Sequence, residues 1–312
     1  MRVFRSLDNL PAFKNAVLTI GTFDGVHLGH QFIIRQLKKM AQDCNGETIL
    51  LTFHPHPRLV VNPDDDSLRL LNTLDEKIEL LEKYGIDNLV VIPFTKAFAN
   101  TRPEDYVKEL LWEKFHPHTI VIGYDHKFGK NRKGDIQTIQ SFSDELDFRV
   151  IEIEKQLVND IAVSSTKVRK ALFEGAVDKA MKMLGHPYSI TGQVQEGDKI
   201  GRTLGYPTAN IQIEDKNKLV PADGIYCAKV WREKDQSTHL AMLSIGLRPT
   251  INDKKIRSLE VYLLNFNEDL YGETLKVEFY KYLRSEKKFD SLENLVKAMD
   301  KDKEATIAYF KN

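Results

Sequence analysis

Cysteine is nearly absent from this 312-residue chain: Cys44 and Cys227 are the two, far apart and outside any C-x-x-C pair. That scarcity excludes a disulfide-stapled fold and a cysteine-rich zinc module. It fits a cytoplasmic protein with both thiols reduced. Net charge is absent too. Lys plus Arg is 45 and Asp plus Glu is 45, so the chain lacks the basic excess of a general nucleic-acid surface. No apolar run approaches the ~20 residues of a membrane span, and Met1 to Lys14 has no apolar stretch of a secretory leader. Internal repeats and low-complexity tracts are missing as well. Asp64-Asp65-Asp66 reads as a solvated loop. What remains is a chain long enough for two domains, each with its own core.

The first 185 residues alternate between strand-length apolar runs and helical patterns. The runs are Val17–Ile20, Thr48–Phe53, Leu89–Pro93, Thr119–Gly123 and Val150–Ile153. Helical patterns follow Leu28 and lie near Leu74–Tyr84, Pro103–Lys114 and Ile136–Leu146. Such alternation predicts an α/β domain over 1–185, with a parallel sheet covered on both faces and its loops gathered at one edge. From residue 186 the texture changes. Six β segments, Tyr188–Val194, Ala209–Ile213, Ile225–Trp231, Leu240–Ser244, Ser258–Leu264 and Leu275–Tyr282, predict a small antiparallel barrel over 186–312. An amphipathic helix over Phe289–Phe310 closes the chain, its expected buried stripe being Leu292, Leu295, Val296, Met299, Ile307 and Phe310.

The densest motif is Gly21-Thr22-Phe23-Asp24-Gly25-Val26-His27-Leu28-Gly29-His30, a glycine-rich turn between a strand and a helix. A helix N-terminus presents free N–H groups and a positive dipole end, where phosphate binds well. Two imidazoles beside it can donate to a triphosphate as charge builds during nucleotidyl transfer. Histidines that only cap a helix are the plainer alternative, and two histidines, three glycines and an aspartate in ten residues argue against it.

Four further stretches carry chemistry. Phe53-His54-Pro55-His56-Pro57-Arg58 must be a loop, because its prolines end the strand. No Cys or acidic residue is spaced to complete a tetrahedral site with its histidines, so no transition metal is expected. Gly123–Asp135 carries Asp125, placed to accept from a ribose or base, and Asn131 stands where a P-loop needs Ser or Thr. Ser164-Ser165-Thr166-Lys167-Val168-Arg169 opens a helix with hydroxyls and a guanidinium suited to phosphate. Gly197–Asn210 holds glycines at 197, 201 and 205, a flap able to lie on phosphates. Its Thr208 and Asn210, two apart, face one side of an extended chain and offer hard oxygens to Mg²⁺. Glu260, on a partly buried strand face with Tyr262 and Leu264, is able to take a proton from a hydroxyl nucleophile.

Together these segments resemble the bacterial bifunctional riboflavin kinase/FMN adenylyltransferase family, over nearly the whole chain and in the family's order. The resemblance implies an N-terminal domain of the H-x-G-H nucleotidyltransferase superfamily and a C-terminal six-stranded riboflavin kinase barrel. It implies phosphorylation of riboflavin to FMN by ATP, then adenylylation of FMN to FAD with release of pyrophosphate. At the adenylyltransferase it implies ATP contacts from Gly21, Phe23, Asp24, His27, Gly29, His30, Asp125, Ser164, Ser165, Thr166 and Arg169. Of these, His27, His30 and Arg169 would be catalytic. His56, Pro57 and Phe128 would lie on the flavin side. At the kinase it implies ATP and Mg²⁺ contacts from Gly197, Gly201, Arg202, Gly205, Pro207, Thr208 and Asn210, with Thr208 and Asn210 at the metal. Glu260 would be the base and Arg284 a flavin neighbour. Expected partners are riboflavin, FMN, FAD, ATP, ADP and pyrophosphate, with no nucleic acid and no membrane; no pattern sets an oligomeric state. His126, Tyr124 and Tyr262 depart from the family's usual residues without removing a group the mechanism needs. Loss of one activity, a flavin-binding regulator and an RNA-linked synthetase relative are the alternatives. The missing KMSKS-like lysine pair weighs against the last.

Overall fold

The computed structural model describes residues 1–123, 126–153, 163–196, 205–248 and 256–311. The chain separates into two compact units, Met1–Ser164 and Ser165–Asn312.

The first unit is built on six parallel strands: β1 (Arg2–Phe4), β2 (Val17–Ile20), β3 (Thr48–His54), β4 (Asn88–Pro93), β5 (Thr119–Gly123) and β6 (Arg149–Ile153). Their order across the sheet is β1-β4-β3-β2-β5-β6. Residues alternate between its two faces. Leu18, Ile20, Ile49, Leu51, Val90, Ile92, Ile120 and Ile122 join one core; Val17, Leu50, Leu89, Val91 and Val121 join the other. Burial on both faces is why these strands read as unbroken apolar runs. The chain leaves β2 toward β3 on one side, while β5 pairs on the other. That reversal opens a crevice at the carboxyl end of β2, where α/β sheets bind ligands.

The helices of this unit are α1 (Leu28–Asp43), α2 (Pro57–Val61), α3 (Leu74–Lys83), α4 (Lys96–Ala99), α5 (residues 103–115) and α6 (Ile136–Gln140). A capping box starts α3, Thr73 and Glu76 each satisfying the other's backbone N–H. The pattern over Pro103–Lys114 predicted one helix. The structure makes α5 in three pieces, with a π-helical stretch at Tyr106–Trp112 that buries Tyr106, Val107, Leu110 and Leu111.

The second unit begins with α7 (Ser165–Phe173) and α8 (Val177–Leu184). The change of texture put the boundary at 185, whereas the units part earlier, because α8 packs on strands of the barrel. The barrel closes from β7 (Tyr188–Gln195), β8 (Ala209–Gln212), β9 (Gly224–Arg232), β10 (Ser237–Arg248), β11 (Ile256–Leu263) and β12 (Thr274–Arg284), in the order β10-β11-β8-β7-β12-β9. All its pairings are antiparallel. The last helix, α9, spans Leu292–Lys311. Of its expected stripe, Val296, Met299 and Ile307 pack against a cluster of Tyr206, Met242 and Leu264, but one end needs correction. Leu292 is 65% exposed, and the most buried positions are Asp302 and Thr306. Polar groups are tolerated there because both are satisfied: Asp302 receives the Arg284 guanidinium, and the Thr306 hydroxyl donates to the Asp302 carbonyl.

Candidate active sites

The turn after β2 is the centre of the first unit's site. It is strained: Phe23 has φ 47° and Val26 has φ 38°, a costly conformation for an aromatic and especially for a β-branched residue. Several anchors hold it. The Asp24 carboxylate, buried, accepts from the Leu71 and Asn72 backbone N–H groups at 2.9 and 3.3 Å. Gln31 Nε2 donates to the Val26 carbonyl at 2.8 Å. The Thr52 hydroxyl donates to the Thr22 carbonyl at 3.2 Å, and Lys77 Nζ donates to the same carbonyl at 2.7 Å.

This turn aims two histidines. His27 caps α1, its Nδ1 accepting from the His30 backbone N–H at 3.3 Å. A neutral His27 therefore carries its proton on Nε2. The His27 and His30 rings stack with centroids 3.7 Å apart and planes 13° from parallel. Phe23 packs against His30 with ring centroids 4.9 Å apart. Burial, then the neighbouring His27 and Lys77, hold the His30 pKa well below the ordinary imidazole value. Its Nδ1 is sealed from solvent and has no hydrogen-bond partner among the described residues. Burial thus favours the neutral imidazole at His30.

Loops after β3 and β5 reach the same sheet edge. His56 caps α2, accepting from the Arg58 N–H at 3.2 Å, with Pro57 at its first turn. Phe128 is buried and stacks on Tyr106 at 4.6 Å. From Tyr106 an aromatic chain continues through Phe98, at 5.9 Å, to Phe53 and Phe94. The sequence reading missed Tyr106; its signal was an aromatic on the inward face of α5. Gly21 and Gly29 lie on the turn and at the start of α1, whereas Asp125 and Tyr124 lie outside the described residues. Ser164, Ser165, Thr166 and Arg169 stand at the junction of the units and on α7.

The second unit's site lies on the outer face of the barrel. Leu259, Val261 and Leu263 of β11 are buried, so Ser258, Glu260 and Tyr262 face outward. Glu260 pairs directly with Asn210 of β8, which puts the two side chains on one face. Thr208, two residues earlier, donates its hydroxyl to Glu260 Oε2 at 3.1 Å. Hydroxyl, amide and carboxylate therefore converge. Ser244 of β10 is the opposite partner of Glu260 and donates to Glu286 at 3.3 Å. Burial first, then the charges of Asp223 and Glu260, push the Glu286 carboxyl up. Gly246 allows this approach, since a Cβ there would run into the Glu286 carboxylate. Tyr206, beside Pro207, donates to Asp300 of α9 and packs on Tyr262 at 4.9 Å.

Arg284 is committed to an ion pair. It forks onto Asp302 at 2.7 and 3.0 Å and lies over the Phe289 ring at 5.7 Å. Gly205 takes the left-handed region, φ 80°, which suits glycine. Gly197, Gly201 and Arg202 lie outside the described residues.

Comparison with known proteins matches both units. A family model described as FAD synthetase covers residues 10–167, and one described as Riboflavin kinase covers 184–310. Among curated proteins, the chain is 38% identical over 296 residues to the Bifunctional riboflavin kinase/FMN adenylyltransferase of Listeria monocytogenes, covering 95% of this chain and 93% of that one. It is 36% identical to the Bacillus subtilis protein of the same name, with the same coverage, and 31% identical to that of Escherichia coli K12, over 99% of this chain and 98% of that one. Among solved structures, a Streptococcus pneumoniae protein described as a macrolide-efflux protein superposes with TM-score 0.85 and 29% identity, over 97% of each chain. What that last comparison carries is the shared architecture.

Proposed function

We propose, from the premise that this chain belongs to the bifunctional riboflavin kinase/FMN adenylyltransferase family, that its two units make FMN and then FAD by the side chains described above. The observation that carries the reading is the convergence of Thr208, Asn210 and Glu260 on one barrel face, together with the stacked histidines above the strained turn.

In the kinase, Glu260 accepts the proton of the ribityl 5′-hydroxyl as that oxygen attacks the γ-phosphorus. The new O–P bond forms and the bond to the ADP oxygen breaks. The Thr208 hydroxyl holds the carboxylate in place. Mg²⁺ fits this donor set: hard oxygens from Thr208 and Asn210 suit an ion that keeps waters and takes its other ligands from phosphates. When bound, it supplies charge neutralisation at the β- and γ-oxygens. Gly197, Gly201, Arg202, Gly205 and Pro207 are assigned to ATP on motif alone.

In the adenylyltransferase, an FMN phosphate oxygen attacks the ATP α-phosphorus and pyrophosphate leaves. No protein nucleophile is required; positioning and charge stabilisation suffice. His27 and His30 donate to the phosphates, with Gly21, Phe23 and Gly29 shaping the turn. Asp24 acts by pinning Leu71 and Asn72. Asp125 takes the nucleoside, and Ser164, Ser165, Thr166 and Arg169 take phosphate. The aromatic chain from Phe53 to Phe128, with His56 and Pro57, gives the isoalloxazine ring a stacking wall. We set the functional division at 185/186 and the location in the cytoplasm.

A chromatographic time course with riboflavin, ATP and Mg²⁺ tests this. FMN should rise and then give way to FAD. FMN alone would leave only the kinase live, and tight flavin binding without ATP consumption would favour a regulator.

A further inference from the structure

Lys77 is a buried cation that neither reaction, as described, employs. It stands on α3 with 6% of its surface exposed. Its ammonium donates to the Thr22 carbonyl at 2.7 Å and to the Thr52 hydroxyl at 3.3 Å, and Thr52 donates onward to that carbonyl at 3.2 Å. Taking a charge this far from water is expensive. A methionine would fill a similar volume without that cost. Removing it would still leave the Thr22 carbonyl and the Thr52 hydroxyl paired with each other. Local satisfaction therefore does not account for the ammonium.

Its position does. The carbonyl it grips opens the turn strained at Phe23 and Val26. The other anchors of that turn are the Asp24 carboxylate and the Gln31 amide; Lys77 alone among these anchors brings positive charge, and His30 feels it. Asn72, held by Asp24, leaves Oδ1 buried and without a hydrogen-bond partner among the described residues. The turn is built around more polar capacity than the protein itself uses.

We propose that Lys77 is a positioning residue for adenylyl transfer: from beneath the turn it pins the Thr22 carbonyl and sets a buried positive charge behind the histidine pair, toward which the nucleotide's polyphosphate is drawn. This rests on reading the turn as the ATP site of the adenylyltransferase.

The ionisable groups facing Lys77 are few. The turn brings Asp24, whose charge favours the ammonium; α1 brings His30, stacked on His27. Strand β3 brings only the Thr52 hydroxyl, and on its own helix Glu76 is engaged with the Thr73 N–H. Burial holds the ammonium at about 8, so the charge is lost as pH rises through that value.

The test uses the full chain and its Lys77→Met and Lys77→Arg variants. The measurements are kcat/KM for ATP with saturating FMN across pH, and the His30 imidazole titration by NMR. Because kcat/KM reports ionisations of the free enzyme, the wild type should fall above about pH 8, and Lys77→Arg, charged throughout, should not. Lys77→Met should lose about 100-fold in kcat/KM, the scale of a misplaced reacting group, with riboflavin phosphorylation unchanged. Its His30 should titrate nearer the ordinary range. If Lys77→Met does not fold, the pH limb of Lys77→Arg decides. A Lys77→Met enzyme with wild-type kcat/KM, or a Lys77→Arg enzyme that keeps the fall above pH 8, overturns the proposal alone. A wild type that makes no FAD from FMN overturns the reading of the site, and the proposal with it.

Discussion

The kinase proposal turns on a single carboxylate, and its neighbours say why. Glu260 faces Asn210 across the strands and accepts from Thr208, so its lone pairs are oriented before any substrate arrives. Glu260→Gln keeps shape and these contacts but removes the basic oxygen. Phosphorylation of riboflavin should fall about 10²–10⁴-fold, while conversion of supplied FMN to FAD should continue at the wild-type rate; separate assays with riboflavin and with FMN would show it. Equal loss of both steps would refute independent sites. The placement of Glu260 on a strand face, and of His27 and His30 at a helix entrance, was legible in the sequence. Lys77 was not. A lysine in Leu-Asp-Glu-Lys-Ile-Glu-Leu-Leu looks solvated, and its burial depends on Thr22 and Thr52, which are distant in the chain. The one local sign was its i+3 place in the stripe Leu74, Ile78, Leu81. Asp24 was legible as important, yet its partners, the Leu71 and Asn72 N–H groups, come from 47 and 48 residues away.

Elements show the same division. Strands β2 to β6 and β7 to β12 were legible because their apolar runs match their period and length. The three-residue β1 left too short a signal, and the π-helical stretch at Tyr106 is invisible to a 3.6-residue pattern. The C-terminal helix was found, but the Arg284–Asp302 pair that ties it to β12 was not, since burial of Asp302 is set by packing. Arg284→Met leaves that carboxylate, 7% exposed, without its cation. The partly exposed guanidinium puts the cost below that of a fully buried pair, at about 2 kcal/mol. It should appear as a lower urea midpoint followed by Trp231 fluorescence, and Asp302→Leu in the same chain should recover much of it. Helix α3 makes a prediction about pH. Lys77 has a folded pKa of about 8 against an ordinary value of 10.5. Between those values the unfolded chain holds a proton that the folded one lacks, so stability of the first unit rises with pH across that window and is flat below it. The difference in urea midpoint between wild type and Lys77→Met, read by Trp112, should shift in favour of the wild type from about pH 7 to about pH 10. A constant difference would show that Lys77 does not lose its proton there.

At the scale of the molecule, the histidine turn lies within Met1–Ser164 and the carboxylate face within Ser165–Asn312. The order of the units was legible because their textures differ, a parallel α/β alternation giving way to short antiparallel strands. The division by contacts falls at Ser164/Ser165, since α8 joins the barrel by packing rather than by pattern. Two activities in one chain that share FMN have a consequence. A mixture of Glu260→Gln, crippled as kinase, with His30→Ala, crippled as adenylyltransferase, contains one live copy of each site on different chains. If FMN is released to solution, the mixture should convert riboflavin to FAD after a lag during which free FMN accumulates. The lag should shorten as total protein rises, because capture of FMN by the second chain is bimolecular. His30→Ala alone should stop at FMN, and Glu260→Gln alone should make FAD from riboflavin only at its residual kinase rate. Failure of the mixture, with each variant retaining its own half-reaction, would mean that FMN passes between sites without leaving the chain that made it, and the two units would then have to act as one machine.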